Sequence, residues 1–162
     1  MKISDYLKKE FCIMDLKAQD KDQVIREIAS CLTVNGKIKD KEKFIQDILE
    51  RESLGSTGIG HRVAIPHSRT DVVDGFAIGF GRSKEGIDFK ALDGDKVNLI
   101  FLMGANPQEL NLYLRLLAEL SRLLMENSFR KELLSAQSDD EVIATIKKYE
   151  AGGLEVIKRQ KS

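Results

Sequence analysis

This chain has no tryptophan, two prolines, two cysteines and two histidines in 162 residues, and its 26 basic side chains are balanced by 26 acidic ones. Each scarcity excludes something. The zero formal charge, with Lys and Arg interleaved among Asp and Glu almost throughout, removes the basic stripe that nucleic-acid binding needs. The basic tail Lys158-Arg159-Gln160-Lys161 is the one exception, and it is short. The apolar runs fall far short of the ~20 residues of a membrane helix. "MKISDYLKK" has no targeting core, so no direct membrane insertion and a cytoplasmic location are expected. Cys12 and Cys31 sit nineteen positions apart in the apolar settings "EFCIM" and "IASCL", without a C-x-x-C pair, and read as buried free thiols. Two Cys and two His would make the four ligands of a structural zinc site, but neither pair has close metal-ligand spacing, and no metal or other cofactor is expected.

The length suits one domain that buries roughly 70% of the surface its unfolded chain exposes. "DKDQVIREIASCLTVNG" spaces Val24, Ile25, Ile28 and Leu32 on one helical face and stops at Asn35-Gly36; "DKEKFIQDILERESLG" does the same with Phe44, Ile45, Ile48 and Leu49 and stops at Gly55. "FCIMDL" is a candidate strand ahead of them. "GFAIGFG" and "VNLIFLMG" are compact apolar runs that suit strands buried on both faces, with "RSKEGIDFKALDGDK" a polar connection between them. "NPQELNLYLRLLAELSRLLMEN" predicts a helix of about five turns with Pro107 in its first turn. "SFRKELLSA" and "SDDEVIATIKKYE" predict two more, the second with Ser138 and Glu141 at capping-box spacing. Residues 1–150 form the expected domain and 151–162 a tail expected to fray. Helices before, between and after the strands, without regular alternation, predict an α/β (α+β) layered sandwich whose central sheet is mixed.

Both histidines and one proline fall in "GIGHRVAIPHS", residues 58–68. No G-x-S-x-G elbow, Walker loop or dinucleotide fingerprint is present, so hydrolase, ATP and NAD chemistry find no support. An imidazole can itself accept a phosphoryl group, being largely neutral at pH 7. Such a transfer asks chiefly for placement and for donors to the equatorial oxygens. Pro66 fixes its own φ and biases Ile65 to extended backbone, which would stand His67 at a stiff strand end. Gly58 lets main chain approach an anion, Ser56 and Thr57 offer hydroxyls, and Arg51 a planar fork of donors. His61 is a rim contact in this reading. From residue types alone two readings stay open, an anion site or glycines and a histidine that only make a bend.

The ordered string "RESLGSTGIGHRVAIPHS" resembles the active-site signature of enzyme IIA components of the fructose/mannitol and nitrogen-regulatory type, in the phosphoenolpyruvate-dependent phosphotransferase system, and the resemblance runs from "ISDYL" to "DDEVIATI". It implies a phosphoryl-carrier protein in which His67 is phosphorylated by the histidine-containing phosphocarrier protein and Arg51, sixteen positions earlier, pairs with the phosphohistidine. It also implies a IIB component, or a regulated transporter or kinase, downstream. Many sugar-specific members carry a second histidine where "YLRLLAELSRLL" has Tyr113, and glycine or alanine where this chain has Ser68. With no IIB or membrane-spanning segment attached, the chain resembles the nitrogen-regulatory branch more than a sugar-transport arm. The alternatives are a sugar-specific IIA that passes phosphate to a IIB cysteine, and a regulatory binding module of the same fold. A cytosolic anion-transporter domain is a further one, though it leaves "AIPHS" without a purpose.

Overall fold

A computed structural model describes residues 2–161, with side chains through Gly152. Two short 3-10 turns, Ile3–Asp5 and Lys9–Phe11, lead into β1 (Cys12–Ile13), and the helices α1 (Lys21–Val34) and α2 (Lys41–Ser53) follow. Aspartates cap both helices. The Asp20 carboxylate accepts from the Gln23 N–H at 2.8 Å, and that of Asp40 from the Lys43 N–H at 3.1 Å. Three short strands then occupy the histidine stretch: β2 (Gly58–Gly60), β3 (Val63–Ala64) and β4 (His67–Arg69). Two long strands, β5 (Phe76–Ile87) and β6 (Val97–Ala105), precede α3 (Leu110–Leu124), α4 (Asn127–Ser135) and α5 (Asp139–Lys161). The tail expected to fray, 151–162, continues α5 as far as Lys161, and its side chains from 153 onward lie outside the described residues.

The sheet is mixed. Its order is β1-β5-β6-β3-β2, with β4 also on β6; β1 runs parallel to β5, and β3 and β4 parallel to β6, while β5–β6 and β2–β3 are antiparallel. All nine residues of β6 are buried, as an apolar run in the middle of a covered sheet should be. On one face Ile28 and Leu32 of α1 press onto Gly79, where a Cβ would stand 2.7 Å from Ile28 Cγ2. On the other, Phe80 and Phe101 pair with ring centroids 5.0 Å apart. Tyr113, Leu116, Leu120, Leu123 and Leu124 form the buried stripe of α3.

Four expectations need correction. The polar connection after "GFAIGFG" is half strand, because β5 continues to Ile87. Arg82 is used rather than solvated: it donates from Nε to the Met14 carbonyl at 3.2 Å and from Nη1 to that of Ala136 at 2.6 Å, tying the sheet to the α4–α5 junction. The long helix begins as a 3-10 turn, Pro107–Glu109, whose Asn106 cap accepts from the Gln108 N–H, which leaves fifteen residues in α3. Half of the capping box forms, since Glu141 donates its N–H to Ser138 Oγ while its carboxylate accepts from Gln137. The cysteines are free thiols but only half-buried.

Candidate active site

β3 and β4 lie end to end along one edge of β6 in a single register, Ala64 opposite Ile100 and His67 opposite Met103. Pro66 marks the break because it has no N–H for the ladder. Its carbonyl nevertheless accepts from the Met103 N–H at 2.9 Å, so the chain stays pinned and His67 opens β4 at a fixed height.

The His67 ring is held at one nitrogen. Nδ1 lies 2.6 Å from the Ile65 carbonyl oxygen, and a carbonyl can only accept, so Nδ1 carries the proton. The neutral ring therefore keeps its lone pair on Nε2. Burial pushes the His67 pKa below the ordinary histidine value, opposed by the hydrogen bond to Ile65; Arg51 pushes it further down and Glu52 pulls it up. A half-buried, uncharged imidazole with one fixed tautomer is the result.

Around it the structure gathers residues from three elements. Tyr113 of α3 stands with its ring centroid 6.0 Å from that of His67 and is almost fully buried. Burial raises its hydroxyl pKa, against the pull of Arg69 and Arg51, so the ring beside His67 is that of a neutral phenol. Arg51, in the last turn of α2, donates from Nη1 to the Gly55 carbonyl at 3.0 Å, which uses one of its five N–H donors. Arg69 was not singled out from the sequence, although side chains two apart on a strand share a face and it follows His67 by two. It makes no ion pair among the described residues. Arg51, Ser68 and Arg69 also line an open groove of about 710 Å³ between α2 and β4, alongside Lys43 and Asp47, which pair with each other at 3.2 Å.

Ser56, Thr57 and Gly58 lie beside this cluster, with their polar groups already engaged inside the protein. Thr57 directs both its N–H and its Oγ1 hydroxyl to the buried Glu52 carboxylate. Ser56 Oγ donates to the Phe89 carbonyl and accepts from the Gly58 N–H at 3.0 Å. A Cβ at Gly58 would meet Ala91 Cβ at 2.8 Å, so the glycine serves close packing there. His61 is not brought to the site. It and Arg62 take positive φ, 55° and 66°, at the exposed turn between β2 and β3, as a two-residue hairpin requires. Arg62 bonds β6 at Asn98 and His67 pairs at Met103, five positions along the strand and so roughly 16 Å apart. Among the described residues no three metal-ligating side chains converge, there or at His67.

Residues 5–149 match the family described as "Phosphoenolpyruvate-dependent sugar phosphotransferase system, EIIA 2". The chain belongs to that family. It is 41% identical over 150 residues to the fructose-specific EIIABC component of Bacillus subtilis, covering 93% of this chain but only 24% of that longer protein. The nitrogen regulatory protein IIA-Ntr of Neisseria meningitidis superposes with a TM-score of 0.83 at 29% identity, over 89% of this chain and 98% of that one. A complex of enzyme IIA and phosphorylated enzyme IIB for mannitol, from Escherichia coli, is also similar, with a TM-score of 0.75, 25% identity, and coverage of 88% of this chain and 99% of the matched one. Family membership thus comes with both sugar-specific and nitrogen-regulatory relatives. No helix among the described residues is long and apolar enough to cross a membrane.

Proposed function

We propose that this EIIA domain is a phosphoryl carrier that accepts its phosphoryl group on His67 Nε2 from a histidine-containing phosphocarrier protein. The observation that carries this reading is the bond from Nδ1 to the Ile65 carbonyl, which leaves Nε2 as the nucleophilic nitrogen of a neutral ring. The Nε2 lone pair forms the new N–P bond as the N–P bond to the donor's imidazole breaks, and the donor nitrogen departs with that electron pair. Nδ1 keeps its proton, so the positive charge gained by the ring rests against a carbonyl oxygen. The chain supplies no other chemistry, as a loose transition state requires little beyond alignment and counter-charge. Arg51 and Arg69 flank the ring as the cations for the phosphoryl oxygens. Ser56, Thr57 and Gly58 shape the loop beside it, and Tyr113 closes the wall toward α3.

Two readings of the onward step each have a supporting observation. Tyr113 cannot become a cation as a second histidine would, which favours a domain that holds its phosphate as a signal, in the nitrogen-regulatory manner. The 41% identity to a fructose-specific component favours delivery to a IIB cysteine. Incubation with phosphoenolpyruvate, enzyme I and the phosphocarrier protein tests the carrier reading: the mass rises by one phosphoryl group in wild type and not in His67→Ala. Arg51→Ala should take up phosphate ~10- to 100-fold more slowly. An unmodified wild type leaves the binding-module reading instead. Adding a fructose-type IIB domain to the phosphorylated protein then separates the two fates, since only the sugar-arm reading predicts that the phosphate leaves for its cysteine.

A further inference from the structure

Behind His67 a run of hydrogen bonds leads into the protein and ends on an ion pair. The Ile65 carbonyl that accepts from Nδ1 belongs to a residue whose own N–H donates to the Thr57 carbonyl at 3.1 Å. Thr57 in turn gives its N–H and hydroxyl to Glu52, whose second carboxylate oxygen accepts from Lys21 Nζ at 3.0 Å. Glu52 is 7% exposed, and Lys21 is steadied by the Phe89 ring, 5.3 Å from its Nζ. Five residues from α1, α2, the following loop and the β3–β4 edge are linked in series, and the terminal member is the imidazole. A buried carboxylate is costly unless its acceptors are filled, and here the donors that fill them fix the backbone holding the ring.

We propose that Glu52, tuned by Lys21, is a positioning residue for His67, acting through Thr57 and Ile65 to hold the Nδ1–H tautomer and the ring's orientation. The proposal deepens the carrier reading, on which its catalytic meaning rests. The charges acting on His67 are Arg51 and Glu52 of α2, with the Tyr113 ring beside it from α3, Arg69 two residues along its own strand, and Lys21 from α1 behind Glu52. Of these, Glu52 alone is negative. Its removal therefore leaves the ring among cations and should lower the His67 pKa further, whereas removing Lys21 leaves the Glu52 charge less compensated and should raise it. Opposite movements from two members of one ion pair are not what a loss of packing produces.

The chain's two histidines make the test direct, because His61, at the far turn, is an internal reference in every spectrum. In nitrogen-15 NMR of the full unphosphorylated chain, wild-type His67 should show one protonated and one lone-pair nitrogen. In Glu52→Gln the two resonances should move toward each other as the tautomers mix, and the titration should shift to lower pH; in Lys21→Met the tautomer should persist and the titration shift upward. His61 should not move in either. Phosphoryl uptake by Glu52→Gln should slow by ~10- to 100-fold, as misplacement of a reacting group does. Unchanged His67 nitrogens and titration in a folded Glu52→Gln protein overturn the proposal, and so do shifts of the same sign in both variants. If Glu52→Gln does not fold, Lys21→Met decides alone, an unmoved or lowered titration counting against. Neither spectrum involves phosphate, so a wild type that takes up no phosphoryl group defeats the carrier reading while the coupling of Glu52 to His67 is judged on its own resonances.

Discussion

At the scale of single residues the site depends on keeping one imidazole neutral. Burial lowers the His67 pKa and the charge of Arg51 lowers it further, so the ring holds its Nε2 lone pair from neutral pH down past the ordinary histidine value near ~6.5. Uptake of phosphate should then be level across neutral pH and fall only on the acid side. Arg51→Met removes a charge that favours the neutral ring, and its acid limb should lie at higher pH than that of wild type. The same shift has a consequence for stability. Because the folded-state pKa is depressed, the unfolded chain binds the proton first; this contribution is fully present above ~6.5 and is lost as pH falls through the lowered folded value. Urea titrations at several pH values should show that acid loss in wild type and a flatter profile in His67→Gln. An equal acid loss in both proteins would mean that the ring is not held neutral by the fold.

At the scale of elements, the segment from Ser56 to His67 is a packed corner rather than a flexible phosphate loop. Gly58→Ala should make this visible. Its Cβ would meet Ala91 Cβ at 2.8 Å and Ala91 Cα at 3.1 Å, and backbone cannot swing aside as a long side chain can. Overpacking of this kind costs about 1–3 kcal/mol, seen as a lower denaturant midpoint. Gly55→Ala, three residues away with nothing within 4 Å and no positive φ, should leave stability unchanged or slightly improved. The same corner shows where sequence reading succeeds and stops. The helical spacings of α1 and α2, the apolar runs of β5 and β6, and the stiffening of His67 by Pro66 are local signals, and all are legible. Glu52 is not, because in "LERES" a glutamate next to an arginine looks like half of a solvated pair, and only the fold reveals that its carboxylate turns inward to Thr57 and Lys21. Thr57 and Ser56 looked like donors for a ligand for the complementary reason: their internal partners, Glu52 and the Phe89 carbonyl, are brought in by tertiary structure. Arg82 to Ile87 read as a connection because the residues that the Arg82 guanidinium serves, Met14 and Ala136, are far away in sequence.

At the scale of the whole molecule the balance of 26 basic and 26 acidic side chains matters more than any patch. With no net charge to steer a partner from a distance, recognition at the site relies on charges within about a Debye length, ~10 Å at 0.1 M salt, which brings Arg51 and Arg69 into the encounter. The same balance makes the phosphorylated state easy to distinguish. A phosphoryl group adds roughly two negative charges. Where the ring keeps its own proton and becomes cationic, part of that is offset, so the chain moves from zero to about one or two net negative charges. For a protein of this composition that is the whole of its charge rather than a small fraction of it. Electrophoresis under native conditions near pH 7.5 should therefore resolve two bands after incubation with the phosphotransfer proteins, the modified one nearer the anode. The faster band should vanish on brief acid treatment, which hydrolyses an N–P bond and spares a phosphoester. It should be missing in His67→Ala at every time point, while His61→Ala, whose imidazole lies at the far turn, should give it at the wild-type rate. A shifted band that survives acid, or that forms in His67→Ala, would place the phosphate on a hydroxyl or another nitrogen and remove His67 as the acceptor.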